Sequence, residues 1–139
     1  MNLEELRRKY LDNGFSLANA SAKICQDIIL NKISKSKMNK NVTIKIVIWR
    51  DLDLDFIKYS LDDESVKAFI DTLNLVADGI KVYIDGDIQE LHHQDYKGKR
   101  VNVILKDENN FSVSAKLDVG VHKNFDIKQD EYCFNLEAI

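Results

Sequence analysis

The chain has 139 residues, 45% hydrophobic and 31% charged, the size and balance of one globular domain with an ordinary core. Its 20 Lys and Arg against 23 Asp and Glu leave a net charge of −3, which argues against a general nucleic-acid binder with a broad basic surface. It contains no long apolar span and no secretory h-region, so no membrane partner is expected. Cys25 and Cys133 are isolated thiols without metal-ligand spacing, which fits a reducing, cytoplasmic setting.

With no proline and five glycines, composition marks no linker, and residues 1–139 are taken as a single domain. Residues 2–12 are expected as a short helix with Leu3, Leu6, Tyr10 and Leu11 on one side and Asn13-Gly14 as its stop. Ser16 is placed to cap a second helix running to about residue 34. Its apolar stripe is Leu17, Ala20, Ile24, Ile28 and Leu30, widened by Cys25 and Ile29. The basic stretch 31–40 closes that helix and leads into a loop. Val42 to Trp49 is an apolar, β-branched run, expected as a strand buried on both faces.

Asp51-Leu52-Asp53-Leu54-Asp55-Phe56 follows almost at once and has the period of a strand. A third helix opens at Leu61-Asp62-Asp63-Glu64, capped by Ser60 or Asp62. It carries Val66, Phe69, Ile70, Leu73 and Val76 at helical spacing and stops at Asp78-Gly79. Strand patterns then take over at 80–84, 100–105, 111–119 and 131–136, with a turn at 106–110 and a hairpin tip from Gln89 to Gly98. Helices lead and strands trail, so the class is α+β with a mixed, mainly antiparallel sheet and the N-terminal helices packed on one side.

The chemistry concentrates in the acidic strand. Asp51, Asp53 and Asp55 share one face of a strand, although Asp is depleted in strands and like charges on one face repel. A divalent cation is the simplest compensation, because hard cations prefer carboxylate oxygen. A third carboxylate from a neighbouring strand would complete a cluster, and Asp118, between apolar neighbours in Lys116-Leu117-Asp118-Val119-Gly120, is the best candidate. Carboxylates holding two Mg²⁺ suit in-line nucleotidyl transfer. The competing reading is a solvated acidic edge strand that blocks aggregation.

Asp51-Leu52-Asp53, the distant Lys116-Leu117-Asp118-Val119-Gly120 and the order of elements between them resemble the AbiEii/AbiGii-type nucleotidyltransferase toxins, of the polymerase-β-like nucleotidyltransferase superfamily. The resemblance spans from about residue 3 to the end. It implies a nucleotidyltransferase-like fold; the family's C-terminal helical region is not expected within these 139 residues, as in a degenerate or truncated relative or in part of a longer protein. It further implies Mg²⁺ or Mn²⁺ on Asp51, Asp53 and Asp118, and a nucleoside triphosphate as donor. The acceptor would be one such as tRNA, and the partner an antitoxin protein in a toxin–antitoxin or phage-defence system. Lys45 and Arg50 are the candidate phosphate contacts. The family's Gly-Gly pair before the acidic strand, which lets backbone N–H groups approach a triphosphate, has no counterpart between Lys45 and Asp51. The metal pair is therefore Asp51/Asp53 or Asp53/Asp55, and a degenerate, non-catalytic binding domain of the same fold is the alternative.

Other motifs have plainer readings. His92 and His93 are adjacent and, in a strand, would face opposite ways, so one ion is not shared. Asp85-Gly86-Asp87 is a turn without the rest of a calcium loop. Lys97-Gly98-Lys99-Arg100 is read as a short basic turn within reach of RNA phosphates, Trp49 as core, and His122 as a loop histidine near Asp118.

Overall fold

The computed structural model describes residues 2–37, 42–48, 51–56, 62–93 and 96–121. Trp49, Arg50, Ser60, Leu61, His122, Cys133 and the strand expected at 131–136 lie outside them.

Helix α1, Leu3–Asp12, is capped by Asn2, whose side chain accepts the Glu5 N–H, and Glu4 and Glu5 favour its positive end. It ends where Gly14 takes φ +94. The Phe15 N–H then bonds back to the Tyr10 carbonyl and the Gly14 N–H to that of Leu11. This turn sets the Phe15 ring edge-on to Tyr10, with centroids 5.1 Å apart. Leu3, Leu6 and Tyr10 are buried as expected, whereas Leu11 faces solvent.

Helix α2, Leu17–Lys35, is capped by the Ser16 hydroxyl, which accepts the Asn19 N–H. Ala20, Ile24, Cys25, Ile28, Ile29 and Leu30 are all buried; Leu17, in the first turn, is not. α2 lies at the centre of the fold, against α1, α3 and two strands. One buried polar side chain fixes it there: Lys32, fully buried, donates to Asp78 Oδ1 at 2.6 Å and to the Ile80 carbonyl at 2.8 Å. Helix α3, Asp63–Leu73, starts from the Asp62 cap, whose carboxylate accepts the Ser65 N–H, and buries Val66, Phe69, Ile70 and Leu73.

α3 stops earlier than Asp78-Gly79 because Asn74 has another use. Its side-chain amide accepts the Val82 N–H and donates to the Val82 carbonyl, both at 2.8 Å. Val76 therefore lies beyond the helix, in the turns that precede the sheet.

Six strands form one mixed sheet among the described residues: β1 (Val42–Ile48), β2 (Asp51–Phe56), β3 (Lys81–Ile84), β4 (Gln89–His93), β5 (Tyr96–Lys106) and β6 (Ser112–Val121). The order is β1-β2-β6-β5-β3, with β4 also on β5. All pairings are antiparallel except β2 with β6, which run parallel. The fold class is α+β, as expected from the order of helix and strand patterns.

Two local readings change. Residues 89–98 are two paired strands rather than the tip of a hairpin, and the 97–100 basic segment lies inside β5 rather than in a turn. Pairing along both edges of β5 overrides the turn tendency of Gly98.

The sheet has two unlike faces. Leu52 and Leu54 of β2, Val101, Val103 and Leu105 of β5, and Val113, Leu117 and Val119 of β6 join the helices in one core. The alternate positions of β5 and β6 carry Asn102, Lys106, Ser112, Ser114, Lys116 and Asp118, which are exposed or half-buried. α1 is anchored to this sheet by a buried carboxylate in the β5–β6 turn. Asp107 accepts the Leu3 N–H at 2.8 Å, the Asn109 N–H at 2.9 Å and the Phe111 N–H at 3.0 Å.

Asp107→Ala leaves three backbone donors without their acceptor, so it is expected to lower unfolding free energy by about 3 kcal/mol, with Asp107→Asn costing less; urea denaturation followed by circular dichroism measures both. Asp27 gives a pH-dependent counterpart. It is buried, and desolvation raises its pKa although the hydrogen bond and charge of Lys23 and the Tyr10 hydroxyl oppose this. The folded state then holds this proton more tightly than the unfolded chain. Its stabilising contribution is complete below the unfolded pKa and lost as pH rises through the higher folded value. Asp27→Asn should therefore be at least as stable as wild type at pH 7 and lose that advantage as the pH falls towards 4, in denaturation curves at the two pH values.

Candidate carboxylate site

The acidic strand lies between the edge strand β1 and β6. Leu52 and Leu54 point into the core and fix the register, so Asp51, Asp53 and Asp55 occupy the alternate positions of β2. For these three residues and for Lys45 the description is of the backbone. The parallel pairing sets Leu52 beside Leu117, Asp53 beside Asp118, and Leu54 beside Val119. Strands in such a pair are about 4.8 Å apart. The two acidic residues singled out from distant parts of the sequence are thus neighbours in one cross-strand row, at positions alternate to core leucines and valine.

The same row continues into β5, where Arg100 is opposite Asp118. The guanidinium meets the carboxylate with both oxygens engaged: Nε to Oδ1 at 2.8 Å and Nη2 to Oδ2 at 3.0 Å. Arg100 is 34% exposed and Asp118 19%, so this pair is partly shielded from water, and its two-point geometry is the strong form of a carboxylate–guanidinium contact. Sequence reasoning placed Arg100 both at the end of a basic turn and at the start of the 100–105 strand, without pairing it with Asp118. The signal that could have found its role was the period of β5, which sets Arg100 on the face opposite Val101.

The next row on this face contains Asp55, Gly120 and Gly98, paired across β2, β6 and β5. Two facing glycines in adjacent strands leave the sheet without side chains there, and such positions admit close approach of a ligand or another backbone. In β1, Ile44 pairs with Leu54 and Ile46 with Asp53, so Lys45 is the extra residue of a β-bulge beside Asp53. Bulges locally twist and redirect a strand.

Lys99 belongs to the other face, with Val101. It reaches Glu90 of β4 at 2.9 Å and Asp63 at the start of α3 at 3.1 Å. Glu90 first and then Asp63 hold its ammonium above the usual lysine range. This pairing ties α3 to the sheet and makes Lys99 a poor phosphate contact. His92 and His93 occupy successive positions of β4. A groove of about 430 Å³ lined by Val76, Ile80, Lys81, Tyr83, Lys106 and Glu108 lies at the far end of β5, away from the carboxylate row.

The residue types in this place are hard oxygen donors: Asp53 and Asp118 in one row, with Asp51 and Asp55 in the same strand as Asp53. Among the described side chains, no three from His, Cys, Asp and Glu come together as a ligand group. Also among the described residues, no helix is long and apolar enough to cross a membrane. Models of known protein families and curated proteins were compared with the chain, and neither comparison gives a match.

Among the described residues the one cysteine, Cys25, lies apart from this site. Cys25 is fully buried in α2, and burial pushes its thiol up to about 12. In native protein treated with iodoacetamide at pH 8, peptide mass spectrometry is expected to find Cys25 unmodified, with full modification once denaturant is added.

Proposed function

We propose that this chain is a metal-dependent nucleotidyltransferase-like protein of the AbiEii/AbiGii type, acting in a toxin–antitoxin or phage-defence system. The observation that carries the reading is the parallel register that makes Asp53 and Asp118 neighbours. Asp53 belongs to both candidate metal pairs, Asp51/Asp53 and Asp53/Asp55, and it shares Asp118's row. Gly98 and Gly120, one row on, supply a side-chain-free stretch beside Asp55, of the kind the family keeps upstream of its acidic strand.

In this reading Asp51, Asp53 and Asp118 would hold Mg²⁺ or Mn²⁺, which would supply charge neutralisation at the triphosphate and lower the pKa of the acceptor hydroxyl. The acceptor oxygen forms a bond to the α-phosphorus of a nucleoside triphosphate, the bond to the bridging oxygen breaks, and pyrophosphate leaves. The hydroxyl proton passes to Asp118 or to water. Lys45, on the bulge beside Asp53, and Arg50, next to Asp51 in the sequence, are the phosphate contacts. The acceptor is an RNA end such as that of tRNA, and the controlling partner an antitoxin protein. The buried, unreactive thiol of Cys25 suits a cytoplasmic setting.

The Arg100–Asp118 pair supports a second reading, a non-catalytic domain of the same type that binds nucleotide or partner without turnover, since a guanidinium already compensates one carboxylate. Two measurements separate these possibilities. Calorimetric titration with Mn²⁺ is expected to show binding to wild type that Asp53→Ala abolishes; no binding at millimolar cation in either the wild type or Arg100 variants would falsify the metal reading. Incubation with labelled triphosphates and total tRNA is then expected to transfer label, and a metal-binding protein that transfers none is the non-catalytic domain.

A further inference from the structure

We infer that Arg100 is a built-in counter-cation of the carboxylate row: it holds Asp118 when no divalent ion is present and turns to the anionic substrate when one is. The inference rests on the metal reading of Asp53 and Asp118, and concerns how that site is loaded. Asp118 engages Arg100 through both oxygens, at 2.8 and 3.0 Å, and an oxygen so engaged has less capacity for a metal ion. Arg100 is paired with Asp118 in the strand register, so it is fixed one strand from Asp118 and two strands from Asp53.

A guanidinium and a divalent cation at this spot compete for one carboxylate. Binding of the ion displaces the contact and frees a planar, permanently charged fork beside the metal. That fork matches phosphate oxygens in two-point geometry, so the displaced Arg100 meets a metal-bound triphosphate rather than a neutral ligand. The side chain is one third exposed and lies on the face of β5 opposite buried Val101. The pair thus couples metal loading to substrate binding: in the empty site the charge of Asp118 is compensated, and the loaded site gains a phosphate contact.

Mn²⁺ binding and binding of a non-hydrolysable nucleoside triphosphate in the presence of Mn²⁺ test this, measured by calorimetry on wild type, Arg100→Gln and Arg100→Lys. Thermal melts establish that each variant is folded. Arg100→Gln is expected to bind Mn²⁺ alone roughly tenfold more tightly, because the competitor is gone, and the Mn²⁺–triphosphate roughly tenfold more weakly, with Arg100→Lys between in both. Metal binding that wild type shows and Asp53→Asn loses, but that Arg100→Gln and Arg100→Lys leave unchanged, overturns the role of Arg100 and leaves the metal reading standing. Tighter metal binding with unaltered triphosphate affinity overturns the turn towards phosphate. Absence of Mn²⁺ binding in wild type and both variants removes the metal reading and this inference with it.

Discussion

The parallel pairing of β2 with β6 is the contact on which the rest of the molecule depends. Every other strand pairing is antiparallel, and several join strands close in the chain. β2 and β6 are far apart in sequence and must be joined in the same direction, which requires the intervening chain to leave the sheet and return. Here α3 is the part of the intervening chain that leaves the sheet, and β3, β4 and β5 lie within it. Without this pairing the β1–β2 pair and the strands β3 to β6 gathered on β5 are separate units, each small for independent stability. The register of the pairing is held by apolar side chains, Leu52 and Leu54 beside Leu117 and Val119, all buried. A slip of one residue would turn the acidic positions into the core. The packing of the core face and the composition of the carboxylate row on the opposite face therefore have one physical origin.

The helical layer is tied to this sheet by polar groups that the core must accept. Asp107 closes three backbone donors at the junction of α1 and the β5–β6 turn, and Lys32 crosses from α2 to the segment before β3. Each is a charged side chain in a shielded place, and each is matched by partners within 3 Å. Lys99 does the same between α3 and the sheet. Such ties cost desolvation and return position, so they fix where helices sit more than how strongly they bind.

The sequence was legible where interactions are local. Ser16 and Asp62 cap their helices as their residue types suggest, the apolar stripes of α2 and α3 are buried, and the strands at 42–48 and 51–56 follow from β-branched and alternating composition. Leu11 and Leu17 were misplaced because they stand at helix edges, where spacing alone does not decide which way a residue faces. α3 was read too long because Asn74 serves β3, a use with no mark in the periodicity. β4 was missed because Gln89-Glu90-Leu91-His92-His93 has little strand propensity and owes its conformation to β5. The alternate placing of Asp51, Asp53 and Asp55 was legible from the strand period, and Asp118 was read as a third carboxylate from a neighbouring strand, which the register sets beside Asp53. The row that joins them depends on a long-range parallel register, which composition does not encode, and Arg100 joins that row only through β5.

The bidentate hold of Asn74 on Val82 has a consequence at the scale of assembly. The outer backbone of β3 at Val82 is already satisfied by a side-chain amide that stands in for one residue of a neighbouring strand. A foreign chain adding to the sheet there must first break two hydrogen bonds and dislodge the end of α3. The molecule therefore carries, in a single asparagine, a chemical stop against growth of the sheet from that side, and any strand-swapped or fibrillar form of this protein has to begin elsewhere.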